Sequence, residues 1–164
     1  MSAPNIKSIF QLEEALEPAI SNVLKSASQV QVLHTFSDCE AEFPHMEVQL
    51  EVGEQPINDH QGMVTISGQA CQVPDTWNVT VIVRCVTNRQ KGWLRSQAEM
   101  RSNARFSMLG CIDNFPASVV PYHELVITRE MGTVLSVQAA EDLDVSEIRF
   151  AGWVSVRPDA WPAS

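Results

Sequence analysis

Catalysis by a protein nucleophile needs a Ser, Cys or Thr beside a base that a third group orients. The pairing to weigh here is Cys39 with His45, six residues on across a turn, and the residues around it do not resemble a catalytic cysteine site. No G-x-S-x-G occurs. Metal binding asks for clustered ligands at set spacings. His34, His45, His60 and His123 form no H-x-x-x-H and no H-x-x-E. His34 reads as a hydrogen-bonded, partly buried side chain on a strand face, and His60, beside Asp59, as a loop histidine within reach of a carboxylate. The carboxylate pairs Glu13/Glu14 and Glu141/Asp142 read as solvated charge, on a helix flank and in a polar connection. The 7 glycines stand singly, with no G-x-G-x-x-G or G-K-[ST] to cradle a phosphate. The expectation is a protein without catalytic, cofactor-binding or metal-binding residues.

The composition limits the alternatives. With 164 residues, 45% hydrophobic and 19% charged, the chain suits one globular domain over 1–164. No run approaches the ~20 apolar residues of a membrane span. The N-terminal Met1-Ser2-Ala3-Pro4-Asn5 lacks the charged and apolar regions of a signal peptide, so synthesis in the cytoplasm is expected. Cys39, Cys71, Cys85 and Cys111 are widely spaced, without C-x-x-C, and read as reduced thiols acting as small apolar residues.

A net charge of −9 argues against binding to a nucleic-acid backbone. The charge is segregated. Residues 1–75 carry two basic and eleven acidic side chains, 76–110 six basic and one acidic, and 111–164 three basic and eight acidic, giving −9, +5 and −5. Such segregation either places opposite fields on opposite flanks, which suits head-to-tail contact between copies, or marks one helix with a solvated basic face.

The elements that would position these groups are legible from periodicity. Ile6, Ile9, Phe10, Leu12, Leu16, Ile20, Val23 and Leu24 predict a helix over 5–27, kinked or divided at Pro18. Val30, Val32, His34 and Phe36 share one face of a strand over 29–36, and Phe43-Pro44 ends a polar turn. Residues 45–53 alternate as a half-buried strand, with Met46, Val48, Leu50 and Val52 inward and Glu47, Gln49 and Glu51 outward. Residues 54–75 read as a loop insertion, with or without a short strand at the apolar patch 63–66. Residues 76–88 become apolar on both faces and predict a central strand. A second helix spans 91–109, with Leu94, Ala98, Met100 or Arg101, Arg105 and Met108 along one side and Phe106 toward the core. Residues 111–121, with two prolines, read as irregular or short-helical, and 124–130 and 145–157 as the last two strands. The acidic run Glu141-Asp142-Leu143-Asp144 lies between those strands, and 158–164 form a loosely ordered tail. This order gives an α+β class, with a mostly antiparallel β-sheet flanked by two main α-helices.

Four stretches together resemble the tail-terminator proteins of tailed bacteriophages, a family of tail-completion and head–tail joining proteins. They are the helix Leu12-Glu13-Glu14-Ala15-Leu16 through Leu24; the acidic turn Asp38-Cys39-Glu40 through Phe43-Pro44-His45-Met46-Glu47-Val48; the strand Trp77-Asn78-Val79-Thr80-Val81-Ile82-Val83-Arg84 running into Thr87-Asn88-Arg89; and Ile148-Arg149-Phe150-Ala151-Gly152-Trp153-Val154-Ser155-Val156-Arg157-Pro158-Asp159-Ala160-Trp161. The resemblance implies a homo-oligomeric ring, usually a hexamer, in the virion tail or neck. Such a ring terminates the tail tube and meets the head-side connector, with no cofactor. Arg89, Arg95, Arg101 and Arg105, with Glu47 and Glu51, are then the candidate subunit-contact residues. Two alternatives stay open: another neck, head-completion or tail-tube protein of the same particle, and a small cytosolic enzyme or ligand-binding domain.

Overall fold

The computed structural model describes residues 9–56, 63–66, 69–72, 75–109, 123–140 and 142–156. Helix α1 (Ile9–Ser28) leads into strands β1 (Gln31–His34), β2 (His45–Pro56), β3 (Met63–Ile66), β4 (Gln69–Gln72) and β5 (Asp75–Asn88). Helix α2 (Trp93–Leu109) and strands β6 (His123–Ala140) and β7 (Leu143–Val156) complete the order. One five-stranded sheet runs β1-β2-β5-β7-β6, and β3 and β4 form a separate two-stranded pair. β1 lies parallel to β2, and every other pairing is antiparallel. The α+β class, with a mostly antiparallel sheet and two helices, is the observed one.

Strand alternation puts Val48, Val83 and Ile148 opposite one another, and likewise Leu50, Val81 and Phe150. These rows form one buried cluster with Leu16, Ile20 and Leu24 of α1 and Met100, Ala104 and Met108 of α2. Both helices therefore cover the same face of the sheet and meet each other along it. The expected central strand, β5, lies third of five, and Ile82 and Val86 on its helix-free side are buried as well.

Several local expectations need correction. α1 is not divided at Pro18. Within 54–75 the optional strand at 63–66 is present as β3, whereas the continuation of β2 to Pro56 and the antiparallel partner β4 were not expected. β6 does not stop near residue 130 but passes Gly132 to Ala140, so Asp144 becomes a strand residue opposite Thr87. Four register shifts between β6 and β7 explain the miss, since each bulge breaks the period of two that sequence reading relies on. Residues 111–121 and 158–164, for which an irregular segment and a loose tail were expected, lie outside the described residues.

α2 is rotated from its expected orientation. Gln97, Met100, Ala104, Ser107 and Met108 are buried, while Leu94 and Phe106 are 65% and 73% exposed. A polar residue decides this. The Gln97 amide donates to the Cys85 carbonyl at 2.8 Å and the Asp144 carbonyl at 3.0 Å, and its oxygen accepts from Ser146 Oγ at 2.5 Å. Buried polar atoms that are fully partnered fix one helix rotation where apolar packing alone would allow several.

Glycine at 152 permits the close β6–β7 approach. A Cβ there would sit 2.2 Å from the Val126 carbonyl oxygen, which is backbone and cannot swing away.

Candidate subunit-contact surface

The basic segment is spent largely inside the chain. Arg89 reaches the buried Asp144 with Nε at 2.6 Å and a second nitrogen at 3.4 Å. Arg105 binds both carboxylate oxygens of Glu130, at 2.9 and 3.2 Å, and donates to Thr133 Oγ1 at 3.1 Å. Thr133 Oγ1 also donates to Glu130. Arg101 donates to Ser146 Oγ at 2.9 Å. The positive middle of the sequence thus folds against the acidic last third, tying α2 and the end of β5 to β6 and β7. Such two-pronged arginine–carboxylate pairs fix geometry as well as charge.

Of the expected contact residues, Arg95 is the arginine left on the outer side of α2. It is 85% exposed and, among the described residues, its ion pair runs along the helix, with Glu99 at 2.9 Å. Lys91, also exposed, forms no ion pair among the described residues. It precedes Gly92, whose φ of 87° suits glycine at the start of α2.

Glu47 and Glu51 face away from the helices on β2. Glu47 stands in register with Arg84 of β5 and, beyond it, Glu147 of β7. Arg84 binds Glu147 at 3.1 Å and Gln49 at 3.3 Å, and Arg149 binds Glu147 at 2.8 Å. The Arg149 and Arg84 hydrogen bonds hold the Glu147 carboxyl below its ordinary range, against the opposing effect of partial burial. The Glu47 carboxyl is held low chiefly by its hydrogen bond from His45 at 3.2 Å. The structure thus separates the six residues onto two sides of the sheet, the arginines with α2 and the glutamates opposite.

Sequence reading missed the apolar side chains of the outer surface. Leu94, Phe106 and Leu109 of α2 are exposed opposite its buried row, and Met131 and Val134 are exposed on the edge strand β6. Phe106 follows Arg105 in the helix; in the strand Met131 lies between Glu130 and Thr133, and Val134 stands opposite Glu147 on the helix-free side. The signal was present as an α2 pattern apolar on two sides, but only one side was assigned to the core.

The chemical candidates resolve plainly. His45 is buried, with Nδ1 2.8 Å from the Glu42 carbonyl, and makes no pair with the exposed Cys39. His34 Nδ1 accepts from the Phe36 N–H at 3.2 Å, as a partly buried strand histidine should. Burial pushes the Cys85 thiol up to about 12, which fits the apolar role expected of it. Among the described residues no cluster of His, Cys, Asp or Glu is placed to hold a metal, and no helix is long and apolar enough to cross a membrane.

No family model matches the chain, and no curated protein matches it. A solved structure whose name states no function matches 96% of this chain and 100% of its own length, at 14% identity and a TM-score of 0.51. At that identity the likeness is one of fold.

Proposed function

We propose that this protein is a structural subunit of a tailed-phage particle. It assembles head to tail into a closed ring of the tail-terminator kind, between the tail tube and the head-side connector. The observation that carries the reading is the exposed apolar row Leu94, Phe106 and Leu109 on the outer side of α2. Monomeric proteins rarely leave such side chains grouped on one flank, and their usual use is contact with another protein. The sequence resemblance supplies the kind of assembly. The bulges of β6 disfavour simple strand-to-strand addition at that edge, so the ring contact is made by side chains.

The contact differs from the arginine face expected from charge alone. Arg89, Arg101 and Arg105 serve the fold, and Arg95 with the apolar side chains serves the neighbour. A ring interface joins two different surfaces of each copy, and closure fixes the number of subunits.

The test is native mass measurement with negative-stain imaging of the purified full chain. A closed ring, commonly of six, is the expected result. A monomer at every concentration overturns the reading in favour of a ligand-binding domain or enzyme.

A further inference from the structure

On the helix-free face, two successive rungs of the sheet have different chemistry. One rung is His45, Val86 and Val145, and the next on that face is Glu47, Arg84 and Glu147. Phe43, in the turn before β2, and Leu143, at the start of β7, extend the apolar rung and enclose a recess of about 460 Å³. Its base is greasy and its rim is acidic.

The charges do not cancel within the recess. Arg84 is engaged by Glu147 and Gln49. Glu47 has a side chain 45% exposed, and His45 is its one hydrogen-bond partner among the described residues. The surroundings add to the acidity. Asp38, Glu40 and Glu42 are exposed in the preceding loop, and Glu51 is exposed further along β2. No lysine or arginine occurs in the sequence between Lys25 and Arg84. Five of this chain's arginines are held in internal ion pairs, Arg84 of the recess among them.

We propose that this recess is a receptor for a lysine or arginine side chain presented by a partner protein that is not this chain. Val86, Val145 and the ring of Phe43 accept the methylene stem. The Glu47 carboxylate accepts the cationic head, with the Phe43 face beside it. The exposed carboxylates of the loop favour a partner segment carrying more than one positive charge. The site faces away from the α2 surface of the proposed ring contact, and it stands or falls separately from that assembly.

The experiment titrates the isotope-labelled full chain with capped tripeptides whose central residue is lysine, arginine, norleucine or glutamate, reading amide resonances by NMR. The lysine and arginine peptides should shift Val86, Val145 and Glu147 saturably, with half-saturation at roughly 1–10 mM, a range ordinary for one side chain. Norleucine, which keeps the stem and loses the charge, should bind about fivefold more weakly. Glu47→Gln should remove that preference while leaving amide resonances outside the recess in place, and Phe43→Ala, at an exposed turn, should weaken both peptides. Equal binding of norleucine, stronger binding of glutamate, no saturable shift, or a cation preference unchanged in Glu47→Gln overturns the proposal. Shifts at these amides that grow with protein concentration alone would assign the recess to a second copy and overturn it too.

Discussion

The Glu17 carboxylate of α1 accepts the main-chain N–H of Leu50 in β2 at 2.8 Å, and it does so while 2% exposed. One turn earlier, Glu13 accepts the Val52 N–H at 3.2 Å. β1 pairs with β2 only as far as Val48. Beyond that point the two carboxylates stand where a neighbouring strand would offer carbonyls, since their i, i+4 helical spacing matches alternate residues of the strand. Glu17 also accepts from the Thr35 N–H at 3.1 Å and the Thr35 hydroxyl at 3.0 Å.

Glu17→Ala removes the acceptor and strands buried donors, at a cost of about 2–4 kcal/mol. For a chain of this length that lowers the thermal midpoint by roughly 5–15 °C. Glu17→Gln keeps an acceptor and should lose less. A Glu17→Ala protein as stable as the parent in urea would show that water replaces the carboxylate.

Gly152→Ala should cost about 1–3 kcal/mol by forcing β6 away from β7. Urea unfolding measures it. Hydrogen exchange should show faster opening at residues 125–127 than at 79–83, and an unchanged profile would contradict the close approach.

Acid should weaken the fold through Glu130 and Glu147. Their folded values are lowered, first by the Arg105 and Arg149 hydrogen bonds respectively, so their contribution is present above the ordinary carboxylate value of 4.5 and is lost as pH falls through the lowered folded value. Glu147→Gln should flatten the stability–pH curve in that acid range, measured by urea unfolding at stepped pH. Identical curves would mean the pair contributes nothing.

Alkylation should distinguish two thiols. Cys39 is exposed and should react in the native protein, whereas Cys85 is buried and should react only on unfolding. Peptide mapping after a timed iodoacetamide pulse reads both sites.

Phe106→Ser and Leu94→Ser should each reduce ring assembly while leaving the unfolding free energy within about 0.5 kcal/mol, because both side chains are largely exposed in the monomer. Light scattering and imaging report the assembly. Arg105→Glu should instead destabilise the subunit by breaking the Glu130 clamp, and a stable Arg105→Glu variant that fails to assemble would return the ring contact to the arginine face.

The sequence by itself determined the class, the two helices, the strands over 45–53 and 76–88 and the inward rows of β2 and β5. These follow from local periodicity, which one chain segment carries whole. Tertiary structure alone decided the partners. Glu13 reads as solvated charge on a helix flank until the unpaired edge of β2 brings the Val52 N–H to it. Phe106 reads as core-facing until the Cys85 and Asp144 carbonyls converge on Gln97, and the resulting rotation turns Phe106 outward. The arginines read as a free basic face until β6 and β7 return with Glu130 and Asp144. In each case the deciding group lies at least 12 residues away in sequence. Hydrogen bonds and ion pairs depend on where atoms meet in space, which no spacing along the chain encodes.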